Sequence, residues 1–305
     1  MSIKMKDVFV TLVLSLLVIS ACAKPQTEGI IEQATVVADR ASLRQKNTST
    51  SRTLQVLRTG EKVDILERDG NWFRVRYSER LQGWMEESTL VTNSMRARVQ
   101  KMVVASQNLR PQNTGTMRET ANFRIEPGRS TSVIRRLESG TKVEVLDRVT
   151  APRPGSTGSS DVWLKVRPSP MEIGWIFAGL LEFDTPADIA RYTEGLVYPA
   201  VKVLNRVQDS ISGPINWYVA AERGAGLDPN LDFDGIRVFT WNMRLHRYET
   251  AFRMKGFRGV YPLEVSQEDG NPAFHFNELS ENGSAKMQRN FVMRGVVVRE
   301  VKAIS

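Results

Sequence analysis

Polar and apolar residues alternate from Lys62 to Glu67, and the same alternation returns from Lys142 to Asp147. A period of two puts one set of side chains on each face of a strand, so both segments predict half-buried β-strands. Gly60 and Gly140 stand just before them, where a turn calls for positive φ. The alternation belongs to a longer repeat. Leu57-Arg-Thr-Gly60-Glu-Lys62-Val63-Asp-Ile65-Leu66-Glu67-Arg68 returns as Leu137-Glu-Ser-Gly140-Thr-Lys142-Val143-Glu-Val145-Leu146-Asp147-Arg148, at an offset of 80. Leu43-Arg44 matches Phe123-Arg124 at that offset, while Trp72, Val75 and Gly83-Trp84 match Trp163, Val166 and Gly174-Trp175 at 91. The extra residues fall at Ala151 to Ser160, a Pro-, Gly- and Ser-rich stretch that predicts a surface loop between strands. Two copies of one small β-unit are expected. Trp72 and Trp163 are expected in the two cores, because units of ~60 residues need large apolar side chains to close them.

Beyond the repeats, Thr185-Pro186-Ala187-Asp188 has the makings of a helix start, with Thr as N-cap, Pro in the first position and Asp at the positive end of the dipole. A helical segment is expected toward Arg206, with a break at Gly195 or Pro199. Strands are expected at Ile215 to Ala221, Ile236 to Trp241, Arg247 to Phe252, Tyr261 to Val265, Ala273 to Leu279, Met287 to Met293 and Val296 to Val301. Asn242 to His246 and Glu281-Asn282-Gly283 read as hairpin turns. With no long helix between them, these strands should pair antiparallel. The fold class is mainly β: two small β-units in tandem, then a helix and an antiparallel β-rich C-terminal domain.

The N-terminus changes the picture. Lys4 and Lys6 precede an apolar run of twelve residues, Val8 to Ile19, shorter than the ~20 a spanning helix needs. Ile19-Ser20-Ala21 leads into Cys22, the chain's single cysteine, which rules out an internal disulfide. This motif resembles the lipobox of bacterial lipoproteins. The resemblance implies cleavage before Cys22 and lipid (diacylglycerol, palmitate) on it, so the membrane is a partner. Ala23, where an Asp would favour inner-membrane retention, points to the outer membrane, facing the periplasm, in a Gram-negative cell. Residues 1–21 are then a signal peptide and 22–33 a tether. The net charge of +8 is concentrated in Asn93 to Arg136, where Arg96, Arg98, Lys101, Arg110, Arg118, Arg124, Arg129, Arg135 and Arg136 face only Glu119 and Glu126. Such a patch can hold anionic polymers; a solvated linker and sheet face is the plainer reading. No nucleic-acid motif accompanies it, and nucleic acid is not expected as a partner.

Ser42-Leu43-Arg44 and Asn122-Phe123-Arg124, the Leu-x-x-Gly strands, the Trp-x-x-Val pairs and Gly83-Trp84/Gly174-Trp175 together resemble the bacterial SH3-like (SH3b) domain, over Ala34 to Val91 and Gly115 to Phe183. The second copy is closer, with Pro127 and Ser130 in its loop. The resemblance implies small barrels at 34–92 and 115–183, separated by a basic linker at 93–114 and followed by a domain at 184–305. It also implies binding of peptidoglycan or of another envelope protein. Trp84, Trp175, Arg124, Arg135 and Arg136 are the candidate binding residues, though core is the plainer reading of Trp84 and Trp175. Arg237 to Arg253 resembles the C-terminal part of uncharacterised bacterial SH3-domain lipoproteins, which implies architecture alone. Within that stretch, Trp241, Arg247, Tyr248, Glu249 and Arg253 read as a ligand cluster or as cross-strand pairs.

Catalysis is not expected. With Cys22 taken by lipid, no thiol remains for a Cys–His pair. His246 and His275 lack zinc-ligand spacing, and Gly-x-Ser-x-Gly and phosphate-loop motifs are absent. No metal or cofactor is expected. Paired carboxylates from Asp228, Asp232, Asp234 and Glu249 leave a glycan hydrolase as an alternative.

Overall fold

The computed structural model describes residues 29–302; the segment expected to be a signal peptide, and Cys22, lie outside them. The first repeat forms β1 (Glu32–Val36), β2 (Ala41–Arg44), β3 (Thr53–Leu57), β4 (Lys62–Asp69), β5 (Trp72–Ser78), β6 (Leu81–Glu86), a 3-10 turn (Glu87–Thr89) and β7 (Leu90–Thr92). They join in the order β3-β2-β6-β5-β4-β1-β7. After α1 (Asn93–Ser106), the second repeat gives β8 (Asn113–Met117), β9 (Ala121–Arg124), β10 (Val133–Leu137), β11 (Lys142–Pro152), β12 (Ser160–Ser169), β13 (Glu172–Phe177), a 3-10 turn (Ala178–Leu180) and β14 (Leu181–Phe183), in the same spatial order. Alternate residues of each strand turn inward, so Leu43, Val63, Ile65, Phe73, Val75 and Met85 fill the first barrel, and Phe123, Val143, Val145, Leu164, Val166 and Ile176 the second. Gly60 and Gly140 have φ of 93° and 80°, as their turns require. The Gly of each Gly-Trp pair serves closure: a Cβ on Gly83 would lie 2.6 Å from the Arg44 carbonyl oxygen, and one on Gly174 would lie 2.7 Å from that of Arg124.

The tryptophans are not where the pattern placed them. Trp72 and Trp163 precede the inward residues Phe73 and Leu164, and alternation turns them out of the barrels. Trp72 is half-buried. Trp163 is buried in a separate cluster with Trp175 and Ala151 outside the second barrel. The basic linker is in large part helical. Its first fourteen residues form α1, capped by the Thr92 hydroxyl, which accepts from Met95 N at 3.1 Å. α1 packs on β13, and Arg167 closes its far end by donating to the carbonyls of Ser106 (2.7 Å) and Leu109.

In the C-terminal unit the expected helix is one turn, α2 (Ala187–Ala190), starting one residue later than the Thr185 cap implied. From Val197 onward the chain is instead a strand, β15 (Val197–Asp209). Val197, Val201 and Leu204 mimic helical spacing, but the run is rich in β-branched valine and contains Pro199, and pairing with the next strand buries Ala200 and Leu204. β16 (Gly213–Arg223), β17 (Phe233–Asn242), β18 (Arg247–Glu268), β19 (Asn271–Leu279), β20 (Lys286–Arg294) and β21 (Val297–Val301) complete a seven-stranded antiparallel meander in sequence order. The strands expected at Arg247 and Tyr261 are one, β18, which pairs β17 along its first half and β19 along its second. One face buries Phe233, Phe257, Phe274, Phe276 and Phe291; the other buries Ile189, Tyr198, Tyr218, Phe239 and Tyr248. Trp241 and Tyr248 are cross-strand partners with rings 5.1 Å apart, Arg247 pairs with Glu249, and Arg253 pairs with Glu222 and Glu194, so this cluster knits strands together.

Candidate functional site

The insertion in the second repeat lengthens the β11–β12 hairpin and builds a site beside it. The outward residues of β12 and β13 meet in register: Trp163 opposite Phe177, and Lys165 opposite Trp175, which in turn faces Arg124. The Trp163 and Phe177 rings meet edge-on, 6.1 Å apart. The Lys165 ammonium lies 5.2 Å from the Trp175 ring, and the Arg129 guanidinium lies 5.3 Å from that of Phe177. Arg129 also bonds Asp161, whose other oxygen takes Arg153 at 2.8 Å. Asp161 is buried, yet the Arg129 bond, supported by Arg153, holds its carboxyl below the usual range against the opposing effect of burial.

Two concavities share the Phe177 ring. A pocket of 200 Å³ is lined by Asn122, Arg124, Arg129, Trp163, Phe177 and Leu180. Trp163 is 3% exposed, and its Nε1 is enclosed with no protein acceptor in reach. On the other side a cleft of 590 Å³ separates the barrel from the C-terminal unit, with Arg118, Arg148, Arg153, Arg223 and Asp232 among its walls. Its floor is a joint. Arg148 and Asp232 are both buried and 3.0 Å apart, and Asp232 also accepts from Tyr261 N at 2.7 Å. Burial still pushes the Asp232 carboxyl up, opposed by Arg148. The Gln112 side chain accepts from Leu263 N at 2.7 Å, and Arg223 donates to the carbonyls of Leu227 and Leu231.

Of the residues singled out from the sequence, Trp175 is buried beneath this arrangement. Arg124 lines the pocket while its Nη1 donates to the Thr131 carbonyl; Arg44 makes the equivalent bond to Ser51 O at 2.8 Å in the first copy, so this arginine braces a loop in both. Arg135 is held by Glu172 in a two-point pair (2.8 and 3.0 Å). Arg136 is exposed. Trp84 stands half-buried on the outer face of the first barrel, beside Arg74 and Arg44. The candidate carboxylates each have partners of their own, with Asp234 accepting from Gly224 N. Asp232 is in the joint, Asp228 faces Arg258, and Glu249 faces Arg247 and Asn242. Among the described residues, no group of three or more His, Cys, Asp or Glu side chains is placed to hold a metal, and no helix is long and apolar enough to cross a membrane. Phe177 and Asp161 carried no local signal, whereas Trp163 carried the repeat motif; register and the lengthened hairpin bring the three together.

The barrels match a known family. The model of the bacterial SH3 domain matches residues 39–91 and 119–182. The chain carries two tandem bacterial SH3 domains. The pocket therefore lies on the second SH3 domain, and the cleft lies between that domain and a β-meander outside the matched segments. SH3 domains of this type are associated with the bacterial cell wall, and the plain reading of the pair is as binding modules. No curated protein matches the chain. Among solved structures, NlpC1 of Trichomonas vaginalis is 14% identical over 84% of this chain and 87% of its own, with a TM-score of 0.19. NlpC2 of the same organism is 13% identical over 89% and 98%, also with a TM-score of 0.19. An NlpC/P60 family protein of Bacillus cereus is 16% identical over 54% and 64%, with a TM-score of 0.18. Likenesses this slight carry no weight for the fold or the function.

Proposed function

We propose that this chain is a non-catalytic cell-envelope lipoprotein that binds peptidoglycan through its SH3 domains, chiefly at the Trp163–Phe177 pocket of the second. Lipid on Cys22 tethers it to a membrane, the outer one in a Gram-negative envelope. The observation that carries the reading is a pocket on the second domain that combines the Trp163 and Phe177 rings with the guanidinium groups of Arg124 and Arg129. A glycan strand suits such a pocket: its sugars offer flat C–H faces for aromatic contact, and its peptides offer carboxylates for Arg129. Trp84 and the exposed Arg136 supply further contact surface on the two domains.

The test is co-sedimentation of the purified protein with bare sacculi. Retention is expected, with about a tenfold loss for Phe177→Ala, the size of effect that removing one aromatic contact produces. Absence of retention would overturn the reading in favour of a protein partner, and release of soluble fragments from the sacculi would overturn it in favour of a hydrolase.

A further inference from the structure

The β-meander carries a surface that the SH3 domains do not explain. β15 and β16 are joined by a turn at 210–212, and β17 and β18 by a turn at 243–246. Because consecutive strands run in opposite directions, both turns project from one end of the sheet. The second SH3 domain grips the other end, where Gln112 O accepts from Val201 N and Arg148 meets Asp232. Asp209 fastens the two turns together. Its buried carboxylate accepts from Ile211 N (2.9 Å) and Ser212 N (2.7 Å) in its own turn, and from Trp241 Nε1 (2.9 Å) and His246 Nδ1 (2.9 Å) in the neighbouring hairpin. His246 has a left-handed φ of 47°, a conformation that holds where its surroundings fix it.

This scaffold presents aliphatic side chains to water. Ile211 is 76% exposed, Met243 48% and Leu245 46%. Arg244 and Arg247 interleave with them; Arg247 reaches Glu249 at 3.1 Å, and Arg244 pairs with no carboxylate among the described residues. A lone exposed aliphatic is ordinary, but three on adjoining turns, where polar residues and glycine are the norm, form an apolar cap edged with cations. Side chains on turn tips that project from a sheet end do not enclose a small molecule, whose sites are concave. The cap fits a deformable anionic surface, into which aliphatic groups sink while guanidinium groups stay at the level of phosphates. Since Asp209 already orders both turns, docking need not freeze them. We propose that the paired turns dock onto a bilayer containing anionic phospholipid, with Ile211, Met243 and Leu245 in the interface and Arg244 and Arg247 on the headgroups.

In the full chain carrying Cys22→Ser, Leu245→Cys introduces the only thiol, which takes an environment-sensitive fluorophore. With vesicles of phosphatidylcholine and phosphatidylglycerol bearing brominated acyl chains, its emission should shift to the blue and be quenched. The readout is local to the turn, so whatever holds the N-terminus on the vesicle does not mimic it. Adding Ile211→Ser and Met243→Ser should weaken the quenching about tenfold, as loss of buried aliphatic groups requires. Arg244→Glu with Arg247→Glu should abolish it. If that double reversal disturbs the circular dichroism, raised salt on the parent gives the same reading, because exposed charges are screened within ~10 Å at 0.1 M. An unquenched label overturns the proposal, and so does quenching indifferent to phosphatidylglycerol, salt and arginine reversal. Sacculus binding is untouched by either result.

Discussion

A single residue's side of a strand decides its cost. Phe123 is wholly enclosed in the second barrel, and Phe123→Ala should remove about 3–5 kcal/mol. That is comparable to the whole stability of so small a domain, so the domain's unfolding transition should disappear from a calorimetric trace. Trp72 is larger, but it faces outward and is only half-buried. Trp72→Ala should cost about 1 kcal/mol, and urea unfolding should show little change. Size and repetition made the tryptophans stand out in the sequence. Their orientation depends on a one-residue phase that is read more securely from the Phe73/Val75 and Leu164/Val166 pairs. The glycine of each Gly-Trp pair was visible as a repeated letter, but its reason, the carbonyl of a strand distant in sequence, was not.

At the scale of elements, local chemistry was legible wherever a turn or an alternation was strong. The hairpin at Asn242 to His246, the turn at Glu281-Asn282-Gly283 and the repeat strands all stand where the pattern puts them. Misreadings arose where two periods compete. Val197 to Leu204 satisfies a helical spacing, and only its partner strand decides otherwise. α1 was hidden for the opposite reason. Its surface is dense in cations, and its apolar contacts are made with β13 rather than along a clean stripe of its own. Thr92→Ala removes its N-cap and should cost about 1 kcal/mol. Amide exchange in residues 93–100 should quicken while the β1 amides keep their protection.

For the whole molecule, the decisive contacts were beyond the reach of sequence reading. Arg148 and Asp232 lie in different units, 84 residues apart, and nothing near either marks the other. Arg148→Met alone strands a buried carboxylate and should destabilise by about 3–5 kcal/mol, whereas adding Asp232→Leu should recover much of the loss. Urea unfolding of the two variants separates these outcomes. The candidate pocket was half-legible in the same sense. Arg124 and the tryptophans carried a motif, but the acceptor-less indole and the cleft exist only because a lengthened hairpin reaches another unit.

That joint bears on the order in which the chain is made. The second barrel is complete at Phe183, before any strand of the meander has emerged. Until residue 232 arrives, Arg148 faces solvent. An aliphatic joint would leave a half-finished protein showing a sticky apolar face through that interval. A guanidinium waits in water at no such risk and is desolvated only when its carboxylate arrives, so the same ion pair that locks the finished molecule keeps the unfinished one from associating with its neighbours.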